Sequence, residues 1–266
     1  MTTPRDPHQW TVHVLNIQGS IFEKWVEHIV SAAPDPWKVV AAQYSVEYPP
    51  PNGPIRGHES CLDVWTELRL GKAWISLAIE AKKDDPRFVD WVFFVASKGR
   101  LNPCVTCIDA RNSSQGRPAS VTGKVLVFPS TIVADACREV RGTWDSKDTR
   151  EFTKTSSKAI SDAAHQVAIG VQALIQEQVT VWGDHAVRQG KSPPWEWNTF
   201  LPVIVTTANL KVLTFDPGDV DAKSGTLDSA QTRLLDVKWL VYLYPIPRHL
   251  QFAYTNPLHL FENDVV

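Results

Sequence analysis

Two runs of alternating apolar residues, Cys61 to Leu70 and Ala73 to Lys82, are separated only by Gly71-Lys72. Period two marks strands, and a glycine at the first central position suits a two-residue type II′ hairpin turn. That turn fixes the pairing: Leu68 faces Ile75, Thr66 faces Leu77, Val64 faces Ile79 and Leu62 faces Ala81. This face is almost wholly apolar. The other face sets Asp63, Trp65, Glu67 and Arg69 against Glu80, Ala78, Ser76 and Trp74. Two carboxylates, Asp63 and Glu80, are therefore expected side by side.

The flanking sequence reads as further α/β elements. Ser20, as N-cap, precedes Ile21, Phe22, Trp25, Val26, Ile29 and Val30 at helical spacing, and Pro34 and Pro36 end the helix. Trp37 to Tyr48 reads as a strand and the proline cluster at 49–54 as an exposed loop. Phe88 to Ala96 fits a buried strand or a short helix. Val121 to Pro129 predicts a strand, Ser130 to Val140 a short helix, and Arg150 to Trp182 a long amphipathic helix. Phe200 to Phe215 then returns as one bent strand or two, with another strand at Val237 to Tyr244. The reading is a mixed central sheet flanked by helices, with a long elaborated second half, in one domain spanning 1–266.

Composition removes several classes. Lys and Arg number 27 against 29 Asp and Glu, a net charge of −2, which excludes a uniformly cationic nucleic-acid binder. Basic residues concentrate after position 82, where Lys98, Arg100, Arg111, Arg117 and Lys124 meet only Asp109; the stretch reads as a loop, either contacting phosphates or simply solvated. No apolar run reaches the roughly 18 residues of a membrane helix, and Met1 to Trp10 lacks a signal-peptide pattern, so a soluble, cytoplasmic chain is expected.

Other motifs fall short. Cys61, Cys104, Cys107 and Cys137 are too few for a disulfide scaffold, and Cys104-Val-Thr-Cys107 lacks the second ligand pair of a zinc site. Gly190-Lys191-Ser192 lacks the upstream glycine of a phosphate loop, and neither HExxH nor GxSxG occurs. Trp65 and Trp74 share the acid face, where core packing is favoured over base stacking. Trp195 and Trp197 read as an interface anchor.

Opposed carboxylates repel unless a cation or a retained proton intervenes. Mg²⁺ takes one or two carboxylates plus water and phosphate oxygens, which an open Asp63/Glu80 pair at a strand edge would offer. Lys82 follows Glu80 by two residues, hence on the same face, where its ammonium can orient a water or stabilise phosphoryl charge. Glu67 shares that face as a candidate for a second metal or as a partner of Arg69 or Lys72. His58 and Glu59 flank the site without an assigned role.

Asp63 followed by Glu80-Ala81-Lys82 on a hairpin, behind an acid-bearing helix, resembles the PD-(D/E)xK nuclease superfamily with its restriction-endonuclease-like fold, over residues 18–98. The helix opening Ser20-Ile21-Phe22-Glu23-Lys24-Trp25 resembles that of Mrr-type members. Cys61-Leu62 precedes Asp63 where the name-giving pattern has proline. The resemblance implies Asp63 and Glu80 as Mg²⁺ ligands, with Mn²⁺ substituting, Ala81 as a backbone ligand, Lys82 as the catalytic lysine and Glu23 as an organiser of the metal site. It also implies hydrolysis of phosphodiester bonds, in DNA ahead of RNA, a prokaryotic genome-defence setting, and a homodimer or a subunit of a larger assembly. The alternative is an inert nuclease-fold subunit that binds partner proteins through its tryptophan-rich, acidic C-terminal half.

Overall fold

A computed structural model describes residues 7–33, 37–48, 58–71, 73–95, 104–112, 118–126, 132–144, 150–189 and 197–242. From Val64 to Leu70 the hairpin forms in the register read from the sequence, whereas the expected Leu62–Ala81 and Asp63–Glu80 pairs are not part of the ladder. Strands β2 (His58–Leu70) and β3 (Ala73–Lys82) are antiparallel, with Val64 opposite Ile79, Thr66 opposite Leu77 and Leu68 opposite Ile75. Gly71 takes a φ of +63° at the turn, a left-handed value that any side chain would strain. Strand β1 (Lys38–Tyr48) pairs antiparallel with the outer side of β2.

The other neighbour of β3 comes from far along the chain. Strand β9 (Trp197–Thr206) lies parallel to β3 along its length, so β3 is an interior strand. Parallel neighbours need a crossover, and the connection includes the long helix α3 (Lys158–Gln189). With the hairpin β5 (Cys104–Asn112) and β6 (Pro118–Leu126), the six-stranded order is β1-β2-β3-β9-β5-β6.

A second six-stranded sheet contains β4 (Val89–Val95), β7 (Val133–Trp144), β8 (Arg150–Ser156), β10 (Asn209–Phe215), β11 (Thr232–Asp236) and β12 (Val241–Tyr242), in the order β11-β10-β4-β7-β12 with β8 also on β7. Strands β4 and β10 are parallel, so the parallel pair β3/β9 passes into the second sheet as the parallel pair β4/β10. The crossing is stitched by hydrogen bonds. The Thr207 amide donates to the Lys82 carbonyl at 3.2 Å, and the Asp84 amide donates to Thr207 Oγ1 at 2.8 Å.

Helices α1 (Pro7–Gln18) and α2 (Ser20–Ser31) precede the sheets. Helix α2 buries Phe22 and Val26 against Val64, Ile79 and Ala81. Helix α3 buries Val167, Val171 and Leu174 against Leu62, Trp65, Ala78 and Phe200. Both faces of the hairpin are thus covered, giving a mixed α/β architecture with sheet flanked by helices. Gly170 permits the close approach of α3, because a Cβ there would lie 2.2 Å from Leu62 Cδ2. Among the described residues no helix is long and apolar enough to cross a membrane.

Several local expectations are corrected. The N-cap of α2 is Gly19 at φ 89°, with no side-chain cap bond, and Ser20 is already helical. The helix expected over Ser130 to Val140 is not formed by its described residues: Val133–Trp144 is a strand between β4 and β12, where ladder pairing overrides a weak local helical pattern. The long helix starts at Lys158, because Arg150–Ser156, carrying Phe152, Thr153 and Thr155, pairs with β7 as a strand. The basic stretch read as a loop contains the β5/β6 hairpin. Val89–Val95 resolves the open choice as a strand, 197–215 forms two strands, and among the described residues of 237–244 the strand is Val241–Tyr242. The proline cluster at 49–54, Pro34, Pro36, Trp195 and the 190–192 motif lie outside the described residues.

Candidate active site

Strict alternation fails in β2 at one level, and that failure builds the site. Leu62 and Trp65 both pack toward α3, while Val64 packs toward α2, so Leu62 does not share the face of Val64 as the sequence predicts. The neighbouring strand slips at the same height: Ala41 and Tyr44, three apart, both lie against the α3 cluster. Between them Gln43 has a φ of 53°, a left-handed value rare for a side-chain-bearing residue. Local irregularities of this kind re-aim side chains. Asp63, just past the last regular β2–β3 pair, turns its carboxylate onto the β3 backbone, and Oδ2 accepts the Ala81 amide at 2.6 Å.

Two residues along β3 from the aligned Ala78, Glu80 lies under α3 with 2% of its surface exposed. It is neither open nor at a strand edge, which corrects the exposed pair expected from the sequence. Lys82 Nζ sits 2.5 Å from Glu80 Oε1 and donates to Gln166 Oε1 of α3 at 2.8 Å. Glu80 Oε2 is buried with no hydrogen-bond partner. Burial pushes the Glu80 carboxyl up to about 7; the charges of Asp63 and Glu23 add to this and Lys82 opposes it. The Asp63 carboxyl is also raised by burial, against the Ala81 amide, Lys82 and Gln43.

Helix α2 brings Glu23 to the same place. Gln43 Nε2 donates to Glu23 Oε2 at 2.7 Å and lies 3.5 Å from Asp63 Oδ1. Burial and then the Asp63 charge raise the Glu23 carboxyl. Cys61 Sγ sits 3.7 Å from Gln43 Oε1, and its thiol is raised by burial and by the charges of Asp63, Glu80 and Glu23. Asp63, Glu80, Lys82 and Glu23 therefore converge, and Ala81 joins them through its amide, where the resemblance implied its carbonyl. Sequence reasoning missed Gln43 and Gln166: a glutamine on a strand and another on an amphipathic helix carry no local signal.

Glu67 stays apart. It accepts from Ser76 Oγ at 3.3 Å and lies four strand residues from Asp63, roughly 13 Å. Ser76 is thus one partner of Glu67, the Arg69 guanidinium stacks 5.1 Å over Trp74, and Lys72 lies outside the described residues. Trp65 is core, its ring 5.2 Å from that of Tyr44. The side chains of His58, Glu59, Cys104, Cys107 and Trp197 lie outside the described residues.

Among the described residues, no group of three or more His, Cys, Asp or Glu side chains could by itself cage a metal ion. The groups suited to a hard cation are the carboxylates of Asp63 and Glu80, a pair of the size Mg²⁺ uses when water and substrate complete its shell. The unpartnered Glu80 Oε2 fits that role, since a buried carboxylate oxygen without a partner is costly. A cavity of about 280 Å³ elsewhere, lined by Glu139, Arg141, Ser156, Lys158, Ala159 and Asp162, shares no residue with this cluster. No family model matches the chain, and neither a curated protein nor a solved structure does.

Proposed function

We propose that this chain is a divalent-metal-dependent nuclease of the PD-(D/E)xK kind, with a restriction-endonuclease-like core, that hydrolyses phosphodiester bonds in DNA ahead of RNA. The observation that carries the reading is the meeting of Asp63, Glu80 and Lys82 beyond the last regular β2–β3 pair, with Glu80 Oε2 buried and unpartnered. The hairpin held between α2 and α3, with β9 parallel to β3, supports the same reading.

Asp63 and Glu80 would hold Mg²⁺, or Mn²⁺ in its place. When bound, the ion offsets their charges, polarises a phosphoryl oxygen and acidifies a water. Lys82, held by Gln166, keeps an ammonium beside the acids, placed to stabilise negative charge developing on the phosphoryl group. Glu23 steadies Asp63 through Gln43. The net charge of −2 suits a homodimer or a subunit recruited to DNA by other components, as in cytoplasmic genome defence.

A second reading has its own observation. Lys82 already supplies a cation to Glu80, as an inert nuclease-fold interaction subunit would need. Plasmid, linear DNA and RNA incubated with the full chain and Mg²⁺ or Mn²⁺ separate the two. The nuclease reading expects cleavage that Glu80→Ala and Lys82→Ala abolish. Cleavage indifferent to both changes overturns the site. No cleavage, with Mn²⁺ binding unaltered by Asp63→Ala, supports the inert subunit.

A further inference from the structure

We infer that the acid cluster takes one divalent ion and not two, because the side-chain amide of Gln43 occupies the place a second ion would need. The inference rests on the metal-site reading above and goes beyond it to the stoichiometry of that site.

Two-metal phosphodiesterases set their ions about 3.5–4 Å apart, sharing carboxylate ligands between them. If Asp63 and Glu80 hold one ion, the acids left among the described residues to hold another beside it are Asp63 again and Glu23. Gln43 Nε2 lies between these two, 2.7 Å from Glu23 Oε2 and 3.5 Å from Asp63 Oδ1. A carboxamide nitrogen carries two N–H donors, enough to serve both acids at once. The amide's orientation has an independent support, because its oxygen faces the Cys61 thiol at 3.7 Å, which leaves the nitrogen for the acids.

The backbone supports the same assignment. A left-handed φ of 53° at Gln43 costs on the order of 1–2 kcal/mol for a residue with a side chain. Such conformations persist where surrounding structure holds them, and they gather at sites. Here the kink delivers the amide between the two carboxylates, opposite Asp63 in the β1–β2 register between Ala42/Val64 and Tyr44/Leu62.

Charge points the same way. Glu23, Asp63 and Glu80 with Lys82 make three carboxylates and one ammonium, while Lys24, which also acts on Glu23, is paired with Glu27. Fully ionised, they leave two negative charges, which one divalent ion cancels and two would reverse.

The test is a Mn²⁺ titration of the full chain at about pH 7.5, above the value to which burial raises Glu80, read by calorimetry for stoichiometry and by electron paramagnetic resonance for spin coupling. The wild type should bind one ion with the spectrum of an isolated centre. Gln43→Ala should bind two, with an exchange-coupled spectrum. Should that variant fail to fold, Gln43→Gly, which suits the left-handed backbone, serves the same arm. Two ions on the wild type, or one on both proteins, overturn the inference and leave the metal-site reading standing. No ion on the wild type overturns both.

Discussion

The amide of Ala81 donates to Oδ2 of Asp63 at 2.6 Å, so the backbone of one strand holds the acid of the next. An asparagine could still accept that bond through its side-chain oxygen, whereas alanine would leave a part-buried N–H unsatisfied, at a cost of about 1–3 kcal/mol. Asp63→Asn should therefore stay within about 1 kcal/mol of wild-type stability while losing metal-dependent cleavage. Asp63→Ala should lose both. Urea unfolding beside a cleavage assay checks the pair, and equal destabilisation by the two variants would show that the bond does not hold Asp63.

Glu80 makes the metal-free fold less stable as pH rises. Its carboxyl sits at about 7 in the fold against an ordinary value of 4.5, with burial the main cause. The folded state therefore keeps a proton that the unfolded chain releases. The stability this group contributes is fully present below about pH 4.5 and is lost as pH climbs to about 7, beyond which the loss is complete. The full effect is on the order of 3 kcal/mol, since each tenfold change in proton affinity between folded and unfolded chain is worth about 1.4 kcal/mol. Glu80→Gln removes the titrating group, so its Tm relative to the wild type should rise between about pH 4.5 and 7 and then level off. A difference independent of pH in chelator-treated protein would refute this.

The hairpin and its acids were readable because period two, a Gly-Lys turn and apolar pairing all point to one register, the one that sets Val64 against Ile79 and Thr66 against Leu77. The supporting residues were not readable. Gln43 acts through a left-handed backbone that no propensity assigns to glutamine, and Gln166 acts from a helix 84 positions after Lys82. Burial of Glu80 was misjudged for a related reason. Alternation can place it on a face, but only the arrival of β9 and α3 decides whether that face meets water. The second sheet was the least legible part, because β7 and β8 are strands by virtue of neighbours distant in sequence.

Gly170 should tolerate no side chain. Its missing Cβ is the space Leu62 fills, with Leu62 Cγ 2.5 Å from where that atom would stand. Leu62 is itself 0% exposed, so it cannot swing aside into solvent. Gly170→Ala would gain helix propensity at an exposed site, yet here overpacking of about 1–3 kcal/mol should outweigh it. Thermal melts of Gly170→Ala, and of the double variant Gly170→Ala/Leu62→Ala, check the mechanism. The second change should recover part of the first one's loss, a coupling that independent sites would lack.

On the proposed nuclease reading Lys82 would serve both catalysis and stability, and pH separates the two. Its ammonium is the cation beside Glu80 Oε1 and is itself held by Gln166. In Lys82→Ala a buried carboxylate loses its counter-charge, and breaking a buried pair from one side costs roughly 3–5 kcal/mol when the remaining partner stays ionised. At about pH 5, below the value of about 7 to which Glu80 is pushed, the carboxyl is protonated and the loss should shrink to a small fraction of that. The destabilisation by Lys82→Ala should therefore grow from about pH 5 to about pH 8 in metal-free protein, and Glu80→Gln in the same chain should abolish the growth. Gln166→Ala removes only the support, so it should lower kcat about tenfold at unchanged KM, less than the roughly 10²–10⁴-fold expected for loss of a positioned catalytic group. A Lys82→Ala penalty equal at both pH values would mean that the ammonium serves packing alone, and the pairing with Glu80 would then explain neither the stability nor the chemistry.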